Sequence, residues 1–149
     1  MERIIKAAKL FESGYNCAQA VVMAFSDLTG YGERESALLA SPFGGGIGRM
    51  REVCGAVSGM YMVLGILYGY DGESTDADKK ELYSRVQALA EGFRAEAGSI
   101  ICREILKNPP SDPTPTKRTD EFYATRPCTR MVMLAARLMD EFIKENPVK

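Results

Sequence analysis

The sequence predicts an all-α fold, a single compact bundle of about five to seven helices around a central apolar helix. Three observations predict it. Apolar residues recur at three- and four-residue steps along most of the chain, as they do on one face of an α-helix. No alternating strand pattern with hairpin turns is present. A length of 149 residues suits one domain with a full hydrophobic core, so we expect residues 1–149 to form a single helical domain.

Three short helices are expected in the first forty residues. Apolar residues at positions 4, 5, 8 and 11 mark the first helix. Asn16 follows a break in this pattern and is a typical N-cap residue, so a second helix is expected to begin at Cys17 and to run to Leu28. A third helix is expected over residues 33–40. The glycine-rich segment 44–48 lacks the Lys-Ser/Thr ending of a phosphate-binding loop, and we interpret it as a flexible connection.

The central helix is expected from an uncharged segment, residues 53–70. Its length lies at the lower edge of a transmembrane span. Four of its residues are Gly and three are Tyr, so the segment is only moderately hydrophobic. The other helices are amphipathic and need an apolar element to pack around. The pattern therefore favours a buried helix that begins near residue 52 or 53 over a membrane-spanning one.

The second half of the chain contains signals for two longer helices and a loop. One helix is expected to open near Thr75 and to be interrupted at Gly98, followed by a turn or two at 101–106. A Pro-rich loop is expected at about 108–119, because its prolines exclude helix and strand. The loop is either functional or a surface crossover. The last helix is expected to start at Pro127, with Thr125 as its cap.

Composition excludes several classes of function. The formal net charge is −1 and no Lys/Arg run is present, so we expect no nucleic-acid partner. The absence of histidine excludes Ser-His-Asp and Cys-His catalysis, haem attachment through CxxCH and Cys₂His₂ zinc sites within this chain. The N-terminus carries charges without a following apolar stretch, which is not a secretory signal. We therefore expect a cytoplasmic protein that does not itself span a membrane.

The chemistry of the chain is expected to be that of sulfur. The candidate catalytic residues, which are also the metal ligands if a metal or cluster is bound, are Cys17, Cys54, Cys102 and Cys128. Three of the four are expected where a helix begins, and a helix N-terminus stabilises a thiolate. Nearby cations stabilise a thiolate as well, and the candidates are Arg49, Arg51, Arg126 and Arg130. For each arginine taken singly, a solvated surface charge is the simpler interpretation.

These residues carry a resemblance to a known family. The matching segments are Gly14-Tyr15-Asn16-Cys17-Ala18-Gln19, Gly44-Gly45-Gly46 and Cys54-Gly55-Ala56-Val57-Ser58-Gly59, followed by two isolated cysteines. The chain resembles the C_GCAxxG_C_C family of redox-active proteins over nearly its whole length. The resemblance implies that the four cysteines form a shared redox centre. It also implies a redox partner linked to a membrane transporter, because genes of the family often lie beside transporter genes.

Four converging thiols leave several chemistries open. They can hold an iron–sulfur cluster, work as one or two dithiol/disulfide couples, or bind another thiolate-held metal such as structural zinc. Their wide spacing is unlike that of common zinc sites and ferredoxins, so four separate helices would have to build a metal site. The alternative without any redox or metal chemistry is four buried, inert thiols. Gly55, Ala56 and Gly59 are candidates for contact with a bound group, although close packing against another helix is the simpler interpretation.

Our hypothesis is a redox-active protein whose tetra-cysteine centre serves electron transfer or thiol–disulfide exchange. If it is an enzyme, we expect a thiol- or cluster-dependent oxidoreductase. One alternative is a non-catalytic metal or iron–sulfur module that serves a transporter or redox partner. Another is a structural helical interaction domain. The sequence names no cofactor or partner, and it leaves homo-oligomerisation open.

Overall fold

The computed structural model describes residues 1–148, and it confirms the all-α fold class. No strand occurs among these residues, in which one isolated bridge pairs Val53 with Ile101. The described chain has nine α-helices. They are α1 (Glu2–Glu12), α2 (Cys17–Ala24), α3 (Ser26–Thr29), α4 (Glu33–Ala40), α5 (Gly55–Tyr68), α6 (Asp76–Ala97), α7 (Cys102–Leu106), α8 (Asp120–Thr125) and α9 (Cys128–Glu145).

Helix α2 begins at Cys17, as predicted, because its N-terminus carries a complete capping box. The Asn16 side chain accepts a hydrogen bond from the Gln19 N–H at 2.9 Å, and the Gln19 side chain accepts one from the Asn16 N–H at 3.0 Å. The predicted continuation of this helix to residue 28 is wrong. The backbone leaves the helix at Phe25, with φ −104° and ψ 14°, and α3 follows as a separate turn.

The core is centred on α2 and α5. Helix α5 packs against α2, α6 and α9, while α1 packs against α2 and α9. The largest fully buried side chains include Phe25, Met60, Leu64 and Phe93. Helix α5 is therefore the central apolar helix that the sequence predicts, but α2 shares the centre with it. Within residues 1–148, no helix combines the length and apolarity that crossing a membrane requires.

Helix α5 begins two to three residues later than predicted, at Gly55. The preceding residues are extended because they hydrogen-bond to the segment before α7. The Cys54 N–H donates to the Ile100 carbonyl at 2.7 Å, and the Cys102 N–H donates to the Glu52 carbonyl at 2.6 Å. This short pairing brings the start of α5 next to the start of α7.

Two further helix boundaries are as predicted and one is wrong. Thr75 caps α6 and Gly98 ends it in the left-handed region, with φ 85°. Thr125 does not cap α9. It is the last residue of α8, a helix that the sequence analysis missed, and its hydroxyl donates to the Glu121 carbonyl at 2.8 Å. The N-cap of α9 is Pro127.

The contact between α5 and α2 is close enough to require glycine at position 59. A Cβ atom at Gly59 would lie 2.8 Å from the Ala18 carbonyl oxygen and 3.0 Å from the Val21 Cβ. A side chain there would push the two central helices apart. Gly65, in the same helix, is exposed, and a Cβ atom there would meet nothing within 4 Å.

We therefore expect opposite effects from two alanine substitutions in α5. Gly59→Ala should lower the free energy of unfolding by about 1–3 kcal/mol, because it overpacks the core. Gly65→Ala should leave it unchanged or raise it by up to about 1 kcal/mol, because Ala favours helix over Gly. Urea unfolding followed by circular dichroism measures both. Equal stabilities of Gly59→Ala and the wild type would contradict the packing argument.

Candidate functional site

The structure brings all four cysteines to one cavity of about 440 Å³. Cys17, Cys102 and Cys128 are the first residues of α2, α7 and α9, and Cys54 is the residue before α5. All four thiols are free. The sequence predicts three of these cysteines at helix starts, and the fourth, Cys102, also lies at one. Cys54 and Cys102 are buried, whereas Cys17 and Cys128 are partly exposed.

The start of α5 approaches the start of α2 because residue 55 is glycine. A Cβ atom at Gly55 would lie 3.2 Å from the Cys17 Cβ and 2.9 Å from the Phe43 carbonyl oxygen. Any larger residue would separate Cys54 from Cys17. Gly55 also lines the cavity itself. It is therefore a residue of the site as well as a helix-packing glycine.

The glycine-rich segment forms an ordered turn rather than the flexible connection that we inferred from the sequence. Residues 45–49 all have positive φ, between 55° and 70°. The turn is closed by backbone hydrogen bonds, including one from the Gly48 N–H to the Pro42 carbonyl at 2.7 Å and one from the Arg49 N–H to the Gly44 carbonyl at 3.1 Å. Left-handed backbone costs a non-glycine residue about 1–2 kcal/mol, so Ile47 and Arg49 store strain here.

Gly46 lies in this turn and sits directly against a cysteine. A Cβ atom there would be 2.7 Å from the Cys102 Cβ and 2.8 Å from the Arg51 Cα. The absence of a side chain therefore allows the turn to pass beside Cys102 and carry Arg51 into the cavity. Four glycines within five residues were the sequence signal for this left-handed turn.

Arg51 is the most buried charge of the site, with 5 % of its surface exposed. Its Nε donates to the Pro110 carbonyl at 2.9 Å, and its Nη1 donates to the Cys102 sulfur at 3.6 Å. Its Nη2 is buried and has no hydrogen-bond partner within residues 1–148. The guanidinium thus contacts one thiol directly and retains one free donor.

The Pro-rich segment between α7 and α8 lies over the cavity and is held there by arginines. Arg49 donates to the Asp112 carbonyl at 2.8 Å and to the Thr116 hydroxyl at 2.7 Å. Arg118 donates to the Phe11 carbonyl at 2.9 Å, and its guanidinium stacks 4.3 Å from the Phe11 ring centroid. The segment therefore forms a wall of the site, which favours the functional interpretation of the loop.

Four arginines line the cavity, and the described lining includes no Asp or Glu. Three of them, Arg49, Arg51 and Arg126, are candidates from the sequence. Arg130 is exposed on α9 and does not line the cavity. Arg118 was missed because it is not close to any cysteine in the sequence, and no local signal places it here.

The thiols of Cys17 and Cys128 form a hydrogen bond that shifts their two pKa values in opposite directions. The hydrogen bond between them raises the pKa of Cys17 well above its usual value, and burial raises it further. The same hydrogen bond lowers the pKa of Cys128 to about 7, with help from Arg126, Arg118 and Arg51 and against the effect of burial. Cys128 is therefore the thiolate of the pair at neutral pH, and Cys17 is the thiol that donates to it.

The two buried cysteines remain protonated. Burial raises the pKa of Cys54 to about 12, although the N–H groups of Ala56 and Val57 at the helix start oppose it. Burial also raises the pKa of Cys102, which the hydrogen bond from Arg51 opposes. The site thus has one reactive thiolate near the surface and two protonated, less reactive thiols beneath it.

Comparison with known proteins identifies the family of the chain. The model of the family described as "Putative redox-active protein (C_GCAxxG_C_C)" matches residues 15–142. The chain belongs to the C_GCAxxG_C_C family. No curated protein and no solved structure matches it.

The Cys-Gly-Ala-x-x-Gly element of the family corresponds to residues 54–59 and divides into two roles. Cys54 and Gly55 line the cavity. Ala56 is fully buried in the core, and Gly59 packs against α2, so the contacts of both are those of helix packing. Neither is among the cavity's lining residues.

The C_GCAxxG_C_C cysteines, as placed, do not match a metal site. Within residues 1–148, no three Cys, Asp or Glu side chains come together closely enough to hold one metal ion. A tetrahedral zinc or iron–sulfur site needs four thiolates at bonding distance of the metal.

The hydrogen bond from Cys17 to Cys128 predicts how the reactivity of Cys128 depends on pH. In the wild type, alkylation of Cys128 by iodoacetamide should rise with pH through a midpoint near its pKa of about 7. Cys17→Ala removes the hydrogen-bond donor, so the midpoint should move to higher pH and the rate at neutral pH should fall. Cys54→Ala is the matched control and should leave the midpoint unchanged. Peptide mass spectrometry of protein alkylated at a series of pH values measures the midpoint. An unchanged midpoint in Cys17→Ala would contradict the hydrogen bond between Cys17 and Cys128.

Proposed function

We propose that the protein is a cytoplasmic thiol–disulfide oxidoreductase in which Cys128 is the attacking thiol and Cys17 is the resolving thiol. The observation that carries this proposal is the convergence of four free thiols on one cavity, in which the surroundings of Cys128 lower its pKa to about 7. A thiol whose pKa is near ambient pH is the best attacking group in thiol exchange, because it is both ionised and nucleophilic.

The proposed reaction transfers two electrons from the protein to a disulfide substrate. The Cys128 thiolate attacks one substrate sulfur, the substrate S–S bond breaks, and one half of the substrate leaves as a thiolate. The other half is held as a mixed disulfide on Cys128. Cys17 gives up its proton to the departing thiolate and attacks the Cys128 sulfur. The products are one substrate thiol, one substrate thiolate that takes a proton from solvent, and a Cys17–Cys128 disulfide.

The surroundings of Cys128 support its role as the attacking thiol. It is the first residue of an 18-residue helix, whose N-terminus favours an anion. Three arginines, Arg126, Arg118 and Arg51, lower its pKa further. Its partial exposure leaves the sulfur accessible to a substrate in the cavity. Such electropositive, partly exposed positions are typical of reactive cysteines.

Cys54 and Cys102 form the second dithiol of the proposal. Their raised pKa values keep them protonated, so they enter exchange more slowly than Cys128. A charge on Cys128 raises the pKa of both of them, and a charge on Cys102 raises that of Cys54, which supports their position beside the first pair. In this role they would reduce the Cys17–Cys128 disulfide and become oxidised in turn, storing two electrons below the surface.

The cycle needs a second reactant, a reducing dithiol that regenerates the thiols. The cytoplasm supplies such dithiols and keeps cysteines reduced. The redox partner, which the family resemblance links to a membrane transporter, is then either the donor or the acceptor of these electrons.

Peptide mapping after anaerobic oxidation tests the proposal. When reduced protein is treated with hydroxyethyl disulfide, a Cys17–Cys128 disulfide should form first, before any disulfide between Cys54 and Cys102. Cys17→Ser should stop at a mixed disulfide on Cys128, because the resolving thiol is absent, and Cys128→Ser should form neither product. Cys54→Ser is the control and should still form the Cys17–Cys128 disulfide.

Two results would contradict this function. One is a wild-type protein in which Cys128 remains a free thiol throughout the oxidation. The other is iron with acid-labile sulfide bound to protein purified without oxygen or chelator, retained in the wild type and lost in all four Cys→Ser variants. That second result would assign the centre to cluster-based electron transfer.

A further inference from the structure

One buried hydrogen-bond donor of a cavity-lining residue has no partner among residues 1–148. The Nη2 atom of Arg51 is buried and has no partner within the described chain, while 95 % of the residue's surface is covered. A buried guanidinium with an unused N–H group loses hydration without compensation. The other two nitrogens of Arg51 already bind the Pro110 carbonyl and the Cys102 sulfur. Arg51 lines the cavity, so this unpaired donor belongs to a residue of the cavity wall.

The charges around this donor are unbalanced. The described cavity lining has four arginines and no Asp or Glu. The closest carboxylate that pairs with any of them is Asp112, 3.9 Å from Arg49, and 59 % of that side chain is exposed. The Cys128 thiolate supplies one negative charge to this group of cations. The remaining positive charge favours an anion in the cavity.

The size and walls of the cavity limit what that anion is. A volume of about 440 Å³ is suited to a small molecule. Apolar side chains complete the walls beside the cysteines and arginines, and they include Phe11, Ile105, Leu106, Phe122 and Met131. A ligand that matches these walls has charged ends and an apolar middle.

We propose that the substrate is a small-molecule disulfide that carries carboxylate groups, with a carboxylate bound between Arg51 Nη2 and Arg126. This substrate class rests on the thiol–disulfide function proposed above. Guanidinium groups bind carboxylates through short, charge-assisted hydrogen bonds, and a bound carboxylate would satisfy the free donor of Arg51. The aliphatic and sulfur atoms of the disulfide then lie along the apolar walls, next to Cys128.

The bound carboxylate fixes which sulfur is attacked. The Cys128 thiolate forms a bond to the nearer substrate sulfur, and the substrate S–S bond breaks. The farther half leaves as a thiolate that carries its own carboxylate and receives the proton released by Cys17. Cys17 then attacks Cys128 and frees the half that the arginines hold. The substrate gains two electrons and the protein loses two.

Three disulfides of similar length and different charge test the proposal. They are dithiodipropionate, an anion; hydroxyethyl disulfide, which is neutral; and cystamine, a cation. For each disulfide, the rate constant for oxidation of Cys128 is divided by the rate constant for its reaction with a small free thiol. The ratio corrects for differences in the intrinsic reactivity of the three disulfides. The normalised rate should be about tenfold or more higher for the anion than for the neutral disulfide, as expected for a charge-assisted contact, and lowest for the cation. Equal normalised rates would overturn the proposal and leave the thiol–disulfide function standing.

Two arginines at matched positions around Cys128 provide the variants. Arg126→Gln removes a cavity arginine two residues before Cys128, and it should abolish most of the preference for the anion. Arg130→Gln removes an exposed arginine two residues after it, outside the cavity, and it should retain the preference. Arg51→Gln should lose the preference as well. If Arg51→Gln fails to fold, the pair at 126 and 130 still decides, and equal preferences in those two variants would overturn the proposal.

Binding of an unreactive analogue separates this inference from the function on which it rests. Octanedioate replaces the two sulfurs of dithiodipropionate with methylene groups, so it cannot undergo exchange. Calorimetry should show that it binds the reduced wild type and Arg130→Gln, and that it binds Arg126→Gln about tenfold or more weakly. Binding with this pattern but without oxidation of Cys128 by any of the three disulfides would overturn the redox function and keep the anion site. Oxidation of Cys128 without octanedioate binding would overturn the anion site.

Discussion

The contact between the first turn of α5 and the start of α2 is the constraint on which the site depends. Gly55 and Gly59 form this contact, and a Cβ atom at either position would lie within 3 Å of a backbone carbonyl oxygen. Because the two helices meet at their beginnings, Cys54 and Cys17 lie at the same end of the bundle. The short pairing of residues 52–54 with residues 100–102 adds the start of α7 to that end. Dense helix packing and convergence of the thiols are therefore consequences of the same glycines.

The electrostatics of the cavity follow from which groups are buried together. Burial alone raises the pKa of every thiol, as it does for Cys54. Cys128 departs from this rule because Cys17 donates a hydrogen bond to it and because arginines surround it. Two of these arginines are held in place by backbone carbonyls rather than by carboxylates, Arg51 through Pro110 and Arg118 through Phe11. Carbonyls fix a guanidinium without neutralising it, so its full charge remains available to a thiolate or a bound anion.

Local signals predicted the parts of the structure that depend on neighbouring residues. The capping box at Asn16 predicts that Cys17 opens a helix, and the apolar spacing of α5 predicts the central helix. The left-handed turn at 45–49 was visible as glycines, but its hydrogen-bonded shape was not, because it depends on Cys102 and on the residues between 42 and 52. The position of Arg118 was unpredictable for a similar reason. It reaches the cavity only because the Pro-rich segment crosses over it, and that crossing is set by contacts distant in sequence.

The four thiols differ in burial, and this difference predicts the order in which they react. Cys128 and Cys17 are partly exposed and hydrogen-bond to each other, whereas Cys54 and Cys102 are buried and protonated. In the proposed reaction, a disulfide substrate therefore meets the Cys128 thiolate first, and the deeper thiols are oxidised by exchange with the pair above them. Four cysteines in one cavity thus need not act as four equivalent ligands, and the unequal surroundings of the two pairs are what a stepwise two-electron centre requires.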